Sequence, residues 1–135
     1  MKVKGQVARW LKSNGILAAK NELGLNFTYQ GWNFLFWNDV DDPLFFRLVL
    51  PGVFDVTDEN YAKSIMACNN VNWNFKVVKA VLYEFDDGRD IGASIWMCYE
   101  QSLDSVQQVD YLMPRALHGL LSAAEAFMKE VADDK

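Results

Sequence analysis

The amino-acid sequence predicts a two-layer α+β fold, because the spacing of its apolar residues alternates between helical and strand periods. Helical spacing in the first 14 residues gives way to strict alternation from residue 25, and helical spacing returns after residue 102. A shorter helical segment near residues 57–70 separates two blocks of strands. The predicted order is α-β-β-β-α-β-β-α, with an antiparallel sheet covered by helices on one face.

Length and composition favour a single domain comprising residues 1–135. Apolar residues make up 51% of the chain and aromatic residues 14%, so burial of apolar surface can offset the entropy lost on folding. The disorder signature of low hydropathy with high charge is absent. We therefore expect a chain that folds by itself or as a small oligomer.

The charge balance argues against two classes of main partner. The formal net charge is −5, whereas a nucleic-acid backbone and an anionic membrane both require a basic surface; a local basic patch stays compatible with this balance. Basic residues interrupt the N-terminal apolar positions, and no apolar run approaches the roughly 20 residues that span a bilayer. We expect a cytoplasmic protein in which Cys68 and Cys98 are reduced thiols.

The first helix is predicted from the helical spacing of four apolar residues, Val3, Val7, Trp10 and Leu11. It should end near Asn14, because a glycine followed by an apolar residue, as at Gly15, is typical of a left-handed C-terminal cap.

A β-hairpin is predicted next, after residues 16–24, which follow no clear period. Apolar and polar residues alternate from Leu25 to Tyr29, and Gln30-Gly31 forms a tight turn into a second alternating run from Trp32 to Phe36. This pattern indicates two antiparallel strands joined by a two-residue turn.

A third strand and a second helix are expected between residues 44 and 70. The strand runs from Leu44 to Leu50 and should be terminated by Pro51-Gly52. Thr57-Asp58-Glu59-Asn60 supplies an N-cap and acidic first-turn residues for a helix that ends near Asn69-Asn70. The expected apolar stripe of this helix is Tyr61, Ala62, Ile65 and Met66.

A second hairpin and a long helix complete the predicted fold. Alternation from Val78 to Tyr83, the turn Asp86-Asp87-Gly88-Arg89 and alternation from Ile91 to Tyr99 give the hairpin. Pro114 should kink or restart the last helix, because it lacks a backbone donor. The apolar stripe of that helix is Val106, Val109, Met113, Leu117, Leu120, Leu121, Ala124, Phe127, Met128 and Val131.

The face of the sheet that lacks helices is predicted to be apolar. If alternate residues of each strand point to the helices, the remaining ones form a patch larger than monomers usually expose. The alternative is that Trp37 and Trp96 are covered by residues 16–24 or by the second helix. The predicted patch consists of Leu35, Trp37, Val81, Tyr83 and Trp96.

The element order, together with Asn69-Asn70-Val71-Asn72 leading into Lys76-Val77-Val78-Lys79-Ala80-Val81, resembles the type III secretion chaperone-like fold, and within it the bacterial YbjN-like group. This resemblance implies a small acidic protein without enzymatic activity, which forms homodimers and binds a polypeptide or acts as a regulator. It implies no catalytic residue, and it does not establish association with a secretion system. We also expect no cofactor and no metal site.

Reactive side chains give weak signals elsewhere. His118 is the only histidine, which excludes sites built on two imidazoles; it is expected to be a helix residue rather than the base of a cysteine nucleophile. The acidic run Asp39–Asp42 lacks the glycine and the distant glutamate of a calcium loop, and Asp86-Asp87 fits hairpin-turn chemistry better than paired catalysis. The scattered glycines form no phosphate-binding loop.

Two functional hypotheses follow from the sequence. The favoured one is a protein-interaction module that binds a polypeptide of unknown identity as a homodimer, with Arg47 and Lys79 added to the apolar patch as contact residues. The alternative is a small-ligand sensor or enzyme with a pocket between the sheet and the last helix. The residues expected to line that pocket are Met97, Tyr99, Met113 and His118.

Overall fold

A computed structural model of the chain describes residues 2–89 and 91–132. In this part of the chain the predicted α+β class and element order are confirmed, with one additional short strand. The helices are α1 (Val3–Ser13), α2 (Tyr61–Asn74) and α3 (Val109–Ala132), and a 3₁₀ turn (Val106–Gln108) precedes α3. The strands are β1 (Ala18–Lys20), β2 (Gly24–Tyr29), β3 (Trp32–Trp37), β4 (Phe45–Asp55), β5 (Val78–Asp86) and β6 (Ile91–Ser102).

The strands form a single antiparallel sheet in the order β1-β2-β3-β4-β6-β5. Strand β1 lies in the segment for which the sequence predicted no element, and it pairs Ala18 with Phe27 at one edge of the sheet. Strand β5 forms the opposite edge. The long strands β4 and β6 pair in the middle of the sheet.

The core lies between the helices and one face of the sheet. It contains alternate residues of each long strand, among them Phe36, Leu48 and Met97, together with Leu117 and Phe127 of α3. All five are at most 2% exposed. Because successive strand residues point to opposite faces, this alternation fixes which side chains remain on the face without helices, which we call the open face.

The predicted end of the first helix is confirmed. Asn14 follows its last turn, and Gly15 has a φ of +73° that a glycine adopts without strain. The backbone N–H of Ile16 donates to the carbonyl of Leu11 at 2.9 Å. This bond satisfies one carbonyl that the end of the helix leaves without an intrahelical donor.

The predicted end of the third strand is wrong. Strand β4 continues through Pro51-Gly52 to Asp55, and its register with β6 shifts between Leu50 and Phe54. A bulge tolerates both residues, because Gly52 has a φ of +61° and a proline lacks only a ladder donor. The sequence signal marked a bulge rather than a strand end.

The predicted apolar face of α2 is also wrong, and the helix extends to Asn74 rather than ending near Asn69. Tyr61 and Met66 are 51% and 58% exposed, whereas the buried side is formed by smaller residues such as Ala67 and Cys68. Small residues allow α2 to approach β5 and α3 closely, which the helical period alone does not reveal.

The last helix runs without interruption from Val109 to Ala132, with Pro114 inside it, so it does not restart there. Its predicted apolar stripe is largely confirmed, since Met113, Leu120 and Phe127 are fully buried, whereas Met128 is 38% exposed. Within the described residues, no helix combines the length and the hydropathy that crossing a bilayer would require.

Candidate functional site

The open face carries all seven residues that the sequence assigned to a partner or dimer surface. The register aligns Leu35 of β3 with Val49 of β4, and Val49 in turn with Cys98 of β6. Trp96 of β6 aligns with Val81 of β5. The set consists of Leu35, Trp37, Arg47, Lys79, Val81, Tyr83 and Trp96.

The centre of the open face is less exposed than the sequence predicted. Leu35 is 8% exposed and Val49 is fully buried, although neither belongs to the core beneath the helices. Trp37, Val81 and Trp96 are half-buried. The larger side chains of the face therefore shield its centre, and its accessible part is a set of aromatic rings and charged groups.

Three aromatic rings form a stack on the β5–β6 side of the open face. The rings of Tyr83 and Trp96 are 4.3 Å apart and nearly parallel, and Phe85 extends the stack at 6.4 Å from Tyr83. The indole N–H of Trp96 donates to Ser94 Oγ at 3.0 Å. Tyr83 and Phe85 are 41% and 39% exposed, so the stack is fixed in orientation and still reachable.

Arg47 holds the centre of a charged row next to this stack. Its guanidinium lies 5.4 Å from the ring centre of Trp37 and 5.1 Å from that of Phe45, in cation–π geometry. Its Nε donates to Glu100 Oε2 at 2.9 Å, and Lys79 Nζ lies 2.6 Å from Glu100 Oε1. One carboxylate on β6 thus bridges two cations on β4 and β5, the strands on either side of it.

The two cations determine the ionisation of Glu100. Partial burial acts to raise the pKa of this carboxyl, but the hydrogen bonds from Lys79 and Arg47, together with their charges, outweigh it and lower the pKa below its usual value. Asp39 adds a second carboxylate 3.8 Å from the Arg47 guanidinium. The open face therefore presents both signs of charge side by side.

The expectation that residues 16–24 or α2 cover Trp37 and Trp96 is met only in part. Trp37 borders a cleft of about 300 Å³ that Glu22 and Leu23 also line, so part of the segment 16–24 does lie beside it. The neighbour stacked on Trp96 is Tyr83 rather than a residue of α2. Both tryptophans remain half-buried residues of the open face.

The residues expected to line a pocket between the sheet and the last helix do not lie around one cavity. Met97, Tyr99 and Met113 are buried in the core, at most 6% exposed. His118 lies on the exposed side of α3 and borders a shallow cleft of about 240 Å³ with Tyr29, Gln30, Leu121, Ser122 and Glu125. The four residues named from the sequence therefore do not line one pocket.

The two cysteines are unpaired and sit in different environments. Burial raises the pKa of the Cys68 thiol to about 11. The pKa of Cys98 is also raised, first by burial and then by the charge of Glu100, against which Lys79 and Arg47 act. Across residues 2–89 and 91–132, no cluster of three or more histidine, cysteine, aspartate or glutamate side chains has an arrangement that could hold a metal ion.

The outer side of α2 is a second exposed apolar surface, which the sequence did not predict. Trp73 is 87% exposed, and Met66, Tyr61 and Ile65 are 58%, 51% and 38% exposed. The helical period detected three of these residues but assigned them to the core. The signal that could have corrected this was the run of small residues Ser64, Ala67 and Cys68 on the opposite side of the helix.

Comparison with known proteins shows a similarity of fold. No family model matches the chain, and no curated protein matches its sequence. The crystal structure of YbjN from E. coli, described as a proposed transcription regulator, is similar with a TM-score of 0.64 over 95% of this chain and 90% of YbjN. The two sequences are 13% identical. The YbjN-like part of the resemblance is therefore confirmed for the fold, and the link to type III secretion chaperones stays a prediction.

Proposed function

We propose that this chain is a non-enzymatic protein-interaction module that binds a polypeptide partner as a homodimer, with the open face as the contact surface between the two copies. The observation that carries the proposal is the ordered stack of Tyr83, Phe85 and Trp96 beside the charged row of Arg47 and Glu100. This combination is typical of protein-binding surfaces rather than of catalytic clefts.

The rings and the arginine are arranged before any partner binds. Trp96 is fixed by Ser94 and Tyr83, and Arg47 is fixed by Glu100 and by the ring faces of Trp37 and Phe45. Tryptophan, tyrosine and arginine dominate the binding energy of many interfaces. Groups that are already ordered lose less entropy on association, which favours a binding role for this face.

A second copy of the chain fits this face in the sign of its charges. Arg47 and Lys79 lie beside Glu100 and Asp39 on the same surface. A two-fold axis brings a surface into contact with itself, and a surface that carries both signs can then pair cations of one copy with carboxylates of the other. The regulatory role described for YbjN is compatible with an interaction module of this kind.

The test is the molar mass of the purified protein and of three variants, measured by light scattering. We expect a dimer for the wild type and a shift towards monomer for W37S/W96S. Because loss of two large rings can also lower stability, Tyr83→Lys provides a milder variant, in which a charge replaces a ring at a position that is 41% exposed. Circular dichroism and thermal unfolding check that each variant is folded.

Trp73→Ser is the matched control, since it makes the same chemical change on α2, where the ring is 87% exposed. We expect this variant to remain a dimer. Dissociation by Trp73→Ser alone would place the dimer contact on α2 instead. Folded W37S/W96S and Tyr83→Lys proteins that keep the mass of the wild type would contradict the role of the open face.

A further inference from the structure

Basic residues are concentrated at the N-terminal end of an otherwise acidic chain. Residues 1–21 contain five of the 13 basic residues and none of the 18 acidic ones. Two of the five, Lys12 at the end of α1 and Lys20 at the end of β1, border the same groove. The local charge is therefore opposite to that of the whole protein.

The groove lies between α1 and β1 and has an apolar interior of about 460 Å³. We call it the α1–β1 groove; it is lined by Ala8, Lys12, Ile16, Leu17, Lys20 and Leu25, among others. Leu25 and Ile16 form part of the interior, and Leu17 is 93% exposed. Apolar walls with lysines beside them suit a ligand that combines an apolar group with negative charge.

The two lysines have no carboxylate to pair with in the described residues. Lys12 and Lys20 are exposed, and no aspartate or glutamate of residues 2–89 and 91–132 approaches either within 4.0 Å. The lysine of the open face differs in this respect, since Lys79 is paired with Glu100. The charges at the groove are thus available to an external anion.

The free edge of β1 adds backbone groups to the same place. Asn21 donates its N–H to the carbonyl of Gly24, and backbone direction alternates along an antiparallel strand. Ala18 and Lys20 therefore direct their N–H and C=O groups away from β2. A second cleft of about 510 Å³, which Ala19 borders, adjoins the groove and shares the lining residues 15–18 with it.

We propose that the α1–β1 groove binds an extended segment of an acidic partner polypeptide, with one apolar side chain of that segment seated between Lys12 and Lys20. The segment pairs with the edge of β1, and its carboxylates lie next to the two ammonium groups. The proposal rests on the proposed function in one respect, namely that the chain binds a polypeptide, and it does not depend on how two copies associate.

A polypeptide accounts for more of these features than a nucleic acid does. Alternate residues of an added strand point to opposite sides, so every second side chain of a bound segment can face the groove. A phosphate backbone would neutralise the lysines but would place nothing in an apolar groove. Seating an apolar side chain there removes its surface from water, which stabilises the complex.

The experiment measures binding of labelled wild-type protein to synthetic peptides by fluorescence anisotropy. The peptides are short runs of glutamate and aspartate that carry one central leucine, isoleucine or phenylalanine, with serine at the centre in a comparison set. A third set replaces the acidic residues with lysine. We expect binding of the acidic peptides with an apolar centre and at least about tenfold weaker binding of the other two sets.

Two variants and a matched control locate the binding. K12E/K20E should weaken binding of the acidic peptides at least about tenfold, since attraction becomes repulsion at two positions. Ala8→Leu, which fills the groove without changing the charge, should weaken it as well. K76E/K129E makes the same change in net charge at two other exposed lysines and should leave binding unchanged.

Several results would overturn the proposal. One is that no acidic peptide binds. Another is that K12E/K20E and K76E/K129E lose peptide affinity to the same extent. A third is that a folded Ala8→Leu protein binds the peptides as tightly as the wild type. Preferential binding of duplex DNA, abolished by K12E/K20E, would assign the groove to nucleic acid instead. If no peptide binds the wild type and K12E/K20E no longer forms the wild-type dimer, the groove would be assigned to a second copy of the chain. W37S/W96S should keep the peptide affinity of the wild type. Absence of peptide binding would therefore contradict the groove proposal alone, whereas an unchanged dimer in W37S/W96S would contradict the role of the open face alone.

Discussion

The side chain of Asn72 on α2 forms two hydrogen bonds with the backbone of Ala80 on β5. Its Nδ2 donates to the Ala80 carbonyl at 3.0 Å, and its Oδ1 accepts from the Ala80 N–H at 2.7 Å. The amide therefore occupies the backbone groups that a neighbouring strand would use at this edge of the sheet. An edge protected in this way is closed to strand pairing at that position.

Replacement of Asn72 by alanine should lower the free energy of unfolding by about 1–2 kcal/mol, because it leaves both backbone groups of Ala80 without their side-chain partner. The measurement is urea unfolding followed by circular dichroism. Asn69→Ala on the same helix is the control, because Asn69 is exposed and its replacement changes the helix propensity by the same amount. Equal stability of the two variants would show that the paired bonds contribute nothing.

Gly24→Ala should be among the most destabilising single changes. A Cβ at Gly24 would lie 2.1 Å from the Phe36 carbonyl oxygen and 3.1 Å from the Asn38 nitrogen, and backbone atoms of a paired strand cannot move aside. We expect a loss of about 2–3 kcal/mol, measured by chemical unfolding. Gly119→Ala is the opposite case, because its Cβ would meet Val78 and Tyr99 at ordinary distances of 3.7–3.8 Å. It should stabilise α3 by about 0.5–1 kcal/mol.

Glu100 should make stability depend on acidity. Since the folded state lowers its pKa below the usual 4.5, the stabilisation is fully present above that value and is lost as the pH falls through the lower folded pKa. Wild-type stability should therefore fall more steeply between about pH 5 and pH 3 than that of Glu100→Gln. Glu84→Gln, at an exposed position of β5, controls for the removal of one carboxylate. Parallel curves for the wild type and Glu100→Gln would contradict the assignment.

Cys68 should react slowly with alkylating agents in the folded protein. Only the thiolate reacts, and raising the pKa from 9.0 to about 11 lowers the thiolate fraction at neutral pH about 100-fold. A Cys98→Ser protein isolates this thiol, and the rate of iodoacetamide labelling can be compared in buffer and in urea. Equal rates in the two conditions would show that Cys68 is neither buried nor shifted.

The sequence predicted those parts of the fold that local chemistry determines. The hairpin turn at Gln30-Gly31 has the positive φ values of +50° and +81° that its sequence pattern requires. The alternation of Phe34, Leu35 and Phe36 correctly separated the core from the open face. Strand β1 was missed because three exposed residues, Ala18 to Lys20, carry no burial pattern from which a strand could be predicted.

The geometry of the candidate site was only partly accessible from sequence. Alternation placed Arg47 and Lys79 on the correct face, but the bridge through Glu100 depends on the pairing of β4 with β6, which α2 and β5 separate in the chain. The orientation of α2 was predicted wrongly, because its large apolar residues were assigned to the core. The buried side consists instead of small residues such as Ala67 and Cys68. The α1–β1 groove requires the position of β1, which the sequence did not indicate.

The most direct test of the central claim is light scattering of the wild-type protein over a dilution series, with tryptophan emission recorded on the same samples. If the open face joins two copies, the molar mass should fall from dimer to monomer on dilution, and the emission should shift to the red as Trp37 and Trp96 gain contact with water. The shift should persist in Trp73→Ser, whose remaining tryptophans include both rings of the open face. A monomer at every concentration, with constant emission, would contradict the homodimer and the role assigned to the open face.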